Sequence, residues 1–171
     1  MGPEGIYVEN LPSFANSIYS GVVPLHPQTG GVFIVNGGHP LTAITDGASS
    51  TIMIDELRIG PTSTDLRGTW ALGQAGASLS SGNGRNDGAF PNVSEDGWDD
   101  IEGGADRPDI QMGCDASAGN NQVTAKSHHS NGVVTGFADG HVGFVTNSVS
   151  QTVWFCLHGR NDGAVIPGND Y

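Results

Sequence analysis

The chain has 171 residues, of which 27 are glycine, and a formal net charge of −12. That length supports one domain with a real core, while 36% apolar residues is low and scattered glycine argues for a loop-rich fold rather than a collagen-like one. With eighteen acidic residues against six basic ones, there is no footprint for nucleic acid or for an anionic membrane surface.

No run of 18 apolar residues occurs, so no membrane-spanning helix is expected. The start, MGPEGIYVEN, has neither a basic stretch nor an apolar one and does not read as a secretory signal. The chain is expected either to be soluble where it is made or to have had an export segment left off. One domain is expected over 1–171, with 1–30, which carries Pro3, Pro12, Pro24 and Pro27, as an extended N-terminal segment.

GGVFIVNG (30–37) is β-rich and bounded by glycine, which predicts a strand. TDGASS (45–50) predicts a turn, TIMIDEL (51–57) a central strand, and GTWALG (68–73) a further strand. From 73 to 118 the composition shifts to Gly, Ser, Asn and Asp. This predicts a long acidic loop region, of a length that suggests function or ordering by an ion.

Regular patterning returns afterwards. QVTAKSHH and VVTGFA predict a hairpin across SNG, and VVTGFA and HVGFV a second one across Asp139-Gly140. A two-residue type I′ turn there would set Phe137 opposite Val142 and Thr135 opposite Phe144. Val133, Phe137, Val142 and Phe144 would then share one face, and Gly136 and Gly143 would leave a bare groove on the other. NSVSQTVWFCLHG predicts a short amphipathic helix capped at Asn147 or Ser148 and stopped at Gly159, with Val149, Val153, Cys156 and Leu157 on its apolar side. GRNDGAFPN at 84 and GRNDGAVIPGN at 159 share turn chemistry without making a repeat architecture.

Chemistry-bearing residues concentrate in three places. SHHSNGVVTGFADGH (127–141) holds His128, His129 and His141 around Asp139. At about 3.3 Å per residue, a strand from Val133 to Asp139 separates the two ends by roughly 20 Å, so they cannot ligate one metal. Structural roles are therefore expected, with His129 hydrogen-bonding the incoming loop. Catalytic alternatives are His39, His128, His129, Asp139 and His141, combined with residues from elsewhere.

SEDGWDDIEGG (94–104) sets Glu95, Asp96, Asp99, Asp100 and Glu102 close together. It reads either as a calcium loop, although not of EF-hand spacing, or as a solvated acidic loop. Cys114 and Cys156 lack zinc-type spacing; a disulfide in an oxidising compartment is expected, against the alternative of two buried thiols. No GxSxG, HExxH or phosphate-binding glycine loop is present.

His129, nine intervening residues, then Asp139-Gly140 resembles the H-X9-DG signature of a bacterial prepilin-associated family, whose members are similar to type IV pilins and type II secretion pseudopilins. GVF from Gly31, ITDGASSTIMIDE (44–56), GTWALG (68–73) and FADGHVGFV (137–145) resemble that family's blocks in order, over roughly 30–165. Members carry a basic leader and a long apolar helix that this chain lacks, so the resemblance implies a head domain without its stem. It implies an α+β pilin-like head, with an antiparallel β-sheet, a short C-terminal helix and long Gly/Asp-rich loops. It further implies a location in the cell envelope or outside the cell, and partners among other pilin-like or secretion-system subunits. By analogy with pseudopilins that hold calcium in a loop, it favours calcium at the acidic stretch. Two other readings stand beside it: a calcium-dependent hydrolase of small esters or lactones, and a surface glycan-binding module using Trp98.

Overall fold

The computed structural model describes residues 30–33, 38–74, 76–82, 90–92, 99–116, 121–166 and 171. Three strands form an antiparallel sheet in the order β1-β4-β5, and one helix closes it from the C-terminal side. The strands are β1 (Ile52–Asp55), β4 (Gly132–Phe137) and β5 (Val142–Thr146). Two short parallel strands, β2 (Asp99–Asp100) and β3 (Cys114–Asp115), tie the acidic region together. The helix α1 spans Gln151–His158. The fold is α+β, with an antiparallel sheet and a short C-terminal helix as the sequence indicates.

Several details differ from the sequence reading. The central strand is β4, and β1 is an edge. GTWALG forms turns, with Trp70 89% exposed. Residues 30–33 are not strand, and 34–37 lie outside the described residues, as do 1–29. QVTAKSHH does not pair with β4. Residues 122–127 run buried and extended, and their backbone bonds go to loops: Gln122 with Asp100, Val123 with Ser81, Ala125 with Asn92 and Lys126 with Glu56.

The β4–β5 connection is three residues long, not two. Gly140 N–H donates to Phe137 O, Gly140 has φ 91°, and Asp139 does not share that left-handed conformation, so the type I′ turn is absent. One residue of slip moves every side chain of β5 to the other face. Val133 pairs with Val145, Thr135 with Gly143, Val134 with Phe144 and Gly136 with Val142. Val142 and Phe144 therefore face outward, 69% and 45% exposed. Gly143, opposite Thr135, leaves no groove: a Cβ there would lie 3.0 Å from Phe137 Cε2, so the ring fills that space.

A bulge shapes β1. Ile52 pairs with Phe137 and Ile54 with Gly136, so one extra residue, Met53, sits in β1. Without it, Ile52 and Ile54 would share a face. With it, Ile52 is wholly buried, Ile54 is half exposed, and Asp55 turns inward.

The core joins Ile52, Val133, Phe137 and Val145 of the sheet to Ala125, Val149, Trp154 and Leu157. The cap of α1 is Ser150, whose Oγ accepts from Val153 N, three or so residues later than the sequence suggests. Val149 just before the cap and Trp154 in the first turn are both in the core, an arrangement that fixes the entry angle of the helix. Gly159 ends the helix as expected.

Candidate functional site

The signature residues sit at the two ends of β4. At one end, the Lys126 segment runs beside β1, since Lys126 N donates to Glu56 O. Glu56 then reaches both ways. Its Oε2 accepts from Val134 N at 2.8 Å and its Oε1 lies 3.3 Å from His129 Nε2. The His129 ring stands edge-on to Phe144 at 6.3 Å, and its backbone N–H donates to Ser127 Oγ. The following turn needs Asn131 in a left-handed conformation, φ 66°.

At the other end, Ala138 N and Asp139 N donate to Thr51 O and Ala48 O, docking the Asp-Gly turn on the Ala48–Ser50 turn. Asp139 Oδ1 accepts from His141 N at 3.0 Å and lies 2.6 Å from His141 Nδ1. These two His141 bonds hold the Asp139 carboxyl below its ordinary range. The His141 ring stacks on Phe137, 4.2 Å between centroids and 6° from parallel. His129 and Asp139 thus stay apart, as expected, each fastening one end of the hairpin. His128 is exposed, and His39 lies half-buried ahead of the Leu41–Ala43 turn. The five catalytic candidates are not brought to one point.

Of the acidic stretch, the structure describes residues 99–104. Asp99 is fully buried, with Oδ2 2.9 Å from Arg67 Nη1 and Oδ1 3.0 Å from Lys126 Nζ. Arg67 also grips Asp65 through Nε and Nη2, and donates to the carbonyls of Met112, Gly113 and Ala105. Two acids and two bases cancel with their side chains almost wholly buried.

Burial works against the charge on Arg67, but its bonds to Asp65 and Asp99 outweigh that and raise its pKa. Burial likewise pushes Asp65 up, yet Arg67 brings it below the ordinary range. For Lys126 burial wins over Asp99 and the pKa falls. Asp99 is thus the shared partner of two cations. Asp100 is buried too, Glu102 is exposed, and Glu95, Asp96 and Trp98 lie outside the described residues. Among the described residues no three His, Cys, Asp or Glu side chains are grouped to hold a metal.

The expected disulfide is not formed. Cys114 and Cys156 are free and buried in separate places. Cys114 packs with Ile101 and Val123, and Cys156 lies on α1. Burial raises both thiols, Cys156 to about 12 with Asp162 and Asp46 adding to it.

Two polar clusters escaped the sequence reading. The bulge in β1 aims Asp55 at Ser80 and His158. Ser80 Oγ donates to both Asp55 oxygens, at 2.7 and 2.8 Å, and His158 Nε2 lies 3.3 Å from Oδ2. His158 Nδ1 is spent on Trp154 O at 2.8 Å, so it carries its proton. The residue types are those of an acyl-transfer triad, but the order is wrong. The serine faces the aspartate rather than the histidine, so His158 is not placed to take its proton. This cluster fixes the helix to β1.

The second cluster joins the two Asp-Gly loops. Asp46 accepts from Asp162 N and from Gly163 N, and Arg160 O accepts from Thr45 N and Asp46 N. Burial pushes Asp162 up, the amide of Ala164 pulls against this, and Asp46 pushes it further, to about 6. No sequence signal short of the repeated Asn-Asp-Gly marked this pairing, and the first copy of that repeat falls mostly outside the described residues.

A sequence model of a bacterial family described as "Protein of unknown function (DUF1559)" matches residues 25–152. The chain belongs to this family. The match takes in β1, the acidic region, the signature hairpin and the first residues of α1. Comparison with curated proteins and with solved structures gave no match. Among the described residues, no helix is long and apolar enough to cross a membrane.

Proposed function

We propose that this member of the DUF1559 family is a pseudopilin-like head domain of the cell envelope or extracellular space. It acts through contacts with other pilin-like or secretion-system subunits. The observation that carries the reading is how the H-X9-DG residues are used. His129, Asp139 and Gly140 hold the two ends of a hairpin, whose outer face keeps Val142, Phe144 and Ile54 exposed. Residues that build a rigid presenting surface suit recognition of another protein.

The test is site-specific photocrosslinking from Ile59, Trp70 and Val165, all at least 79% exposed, in cells that make the protein. Adducts to defined subunits of an envelope assembly are the expected result. Absence of any specific adduct from all three positions, and from Phe144 on the hairpin face as well, would overturn the reading.

Calcium enters this proposal through Glu95, Asp96, Asp100 and Glu102, since Asp99 is engaged by two cations. A ligand that binds only the folded state stabilises it by about 2.7 kcal/mol at a hundredfold excess over Kd. Millimolar calcium should raise the melting temperature and chelation reverse it; a melting temperature indifferent to both removes calcium from the reading.

A further inference from the structure

We infer that the edge of β5 left unpaired among the described residues is a strand-addition surface for an extended segment of a partner protein, one with apolar residues at alternate positions and a net positive charge. The inference rests on the proposed role in protein contacts and names the surface and the partner's chemistry.

The pairing pattern exposes the edge. Phe137 N donates to His141 O, and Asn147 N donates to Asn131 O. Odd-numbered residues of β5 therefore exchange hydrogen bonds with β4, and Val142 and Phe144 turn their N–H and C=O groups away from it. The other edge of the sheet is treated differently: Lys126 N already bonds Glu56 O beside β1. Proteins commonly blunt an open edge with a charge, a proline or a bulge. The segment from Val142 to Thr146, VGFVT, has none of these.

Open backbone groups and exposed apolar side chains coincide. Val142 and Phe144 bear both, and Ile54, half exposed, continues the same face across Gly136. An added strand would bond to the backbone and set every second side chain on this face. Three side chains amount to a patch of a few hundred Å², well under the roughly 800 Å² per partner that two folded bodies need. That size fits one strand.

Charge decides between a foreign segment and a second copy. The net charge is −12, and the cations among the described residues are engaged: Arg58 on Ile110 O, Arg67 on Asp65 and Asp99, Arg107 on Asp109, Lys126 on Asp99, and Arg160 on Gly31 O. Two copies repel, whereas a basic segment is attracted.

The probe is a short capped peptide of alternating valine and lysine, beside the same peptide N-methylated at alternate residues, which keeps the charge and loses the backbone donors. Titration should show the parent peptide binding roughly tenfold more tightly than the methylated one, the worth of one or two hydrogen bonds. Amide exchange at Val142 and Phe144 should slow when it binds. Val142→Pro removes an N–H that β4 does not use, so it should leave the hairpin folded and weaken the peptide to a similar degree. Phe144→Lys provides a second variant that opposes the same segment by charge. Equal affinity for the two peptides, or unchanged affinity in both variants, would overturn the inference. Crosslinks from Ile59, Trp70 or Val165 would then still stand for the broader role through another face.

Discussion

The two halves of this molecule solve the same problem by opposite means. The sheet and helix are held by apolar burial, with Ile52, Val133, Phe137, Val145, Trp154 and Leu157 packed together. Among the described residues, the region from Gly60 to Lys126 has a much smaller apolar cluster, Ile101, Cys114 and Val123, beside the Asp65–Arg67–Asp99–Lys126 network. A glycine-rich segment without enough apolar residues gains order from carbonyls gathered around one guanidinium. Burial of this kind is costly to assemble but very costly to break, because removing one partner strands the other charges away from water.

Breaking that contrast is straightforward. Arg67→Met should cost about 3–5 kcal/mol, read by urea unfolding, since it leaves Asp65 and Asp99 without their shared cation. It should also open the 99–116 region to protease. A loss under about 1 kcal/mol would mean that the network contributes little and the apolar core carries both halves. Leu157→Ala is the matching change on the other side, expected to cost about 2–5 kcal/mol through the cavity it leaves. Because Asp55, on β1, is bonded to His158 on α1, this change should also loosen that edge of the sheet.

The acid pair between the Asp-Gly loops sharpens the comparison with pH. Burial and Asp46 raise Asp162 from 3.8 to about 6 in the folded protein. The folded state therefore holds this proton more tightly than the unfolded state. The associated stability is complete below about pH 4 and is lost as pH rises through 6. Asp162→Asn should flatten the stability profile across that window and raise stability at pH 8, by on the order of 1–3 kcal/mol at about 1.4 kcal/mol per unit. The same pH scan on Arg67→Met should keep the Asp162 step, since the two clusters share no residue. A wild-type profile without a step between pH 4 and 6 would show that burial and Asp46 together do not raise Asp162.

The thiols give a smaller effect of the same kind. Denatured, unreduced protein should titrate two free thiols, and the native protein should react slowly at both, because each is buried and shifted away from the reactive thiolate. A single disulfide found chemically would restore the sequence expectation and tie the acidic region to α1 covalently.

What was legible in the sequence follows the same division. Apolar spacing located α1 and its Gly159 stop, and β-branched runs located β1, β4 and β5. The register of β4 and β5 was not legible, because Asp139-Gly140 fits both a two-residue and a three-residue connection. The choice goes with Ala138 N and Asp139 N donating to Thr51 O and Ala48 O, far away in sequence. The inward turn of Asp55 depends on a bulge that no residue type announces. The roles of Asp99 and Lys126 were hidden because a run of acids reads as solvated or metal-binding. The second cation on Asp99, Arg67, lies 32 residues away in sequence.

The smallest expected effect concerns the signature histidine. His129 is about half exposed and meets Glu56 at 3.3 Å, and an exposed ion pair is typically worth under about 1 kcal/mol. Glu56 does more, since it also accepts the N–H of Val134, a bond that survives when the imidazole is removed. Thus His129→Ala should lower stability by about 1 kcal/mol or less, whereas Glu56→Ala should cost about 1–3 kcal/mol by stranding the Val134 amide. The double variant should match Glu56→Ala to within a few tenths of a kcal/mol, because the histidine's bond is already gone. If instead His129→Ala equals or exceeds Glu56→Ala, the edge contact with Phe144, and not Glu56, carries the histidine's contribution. Its place in the signature would then reflect something beyond fastening one end of β4.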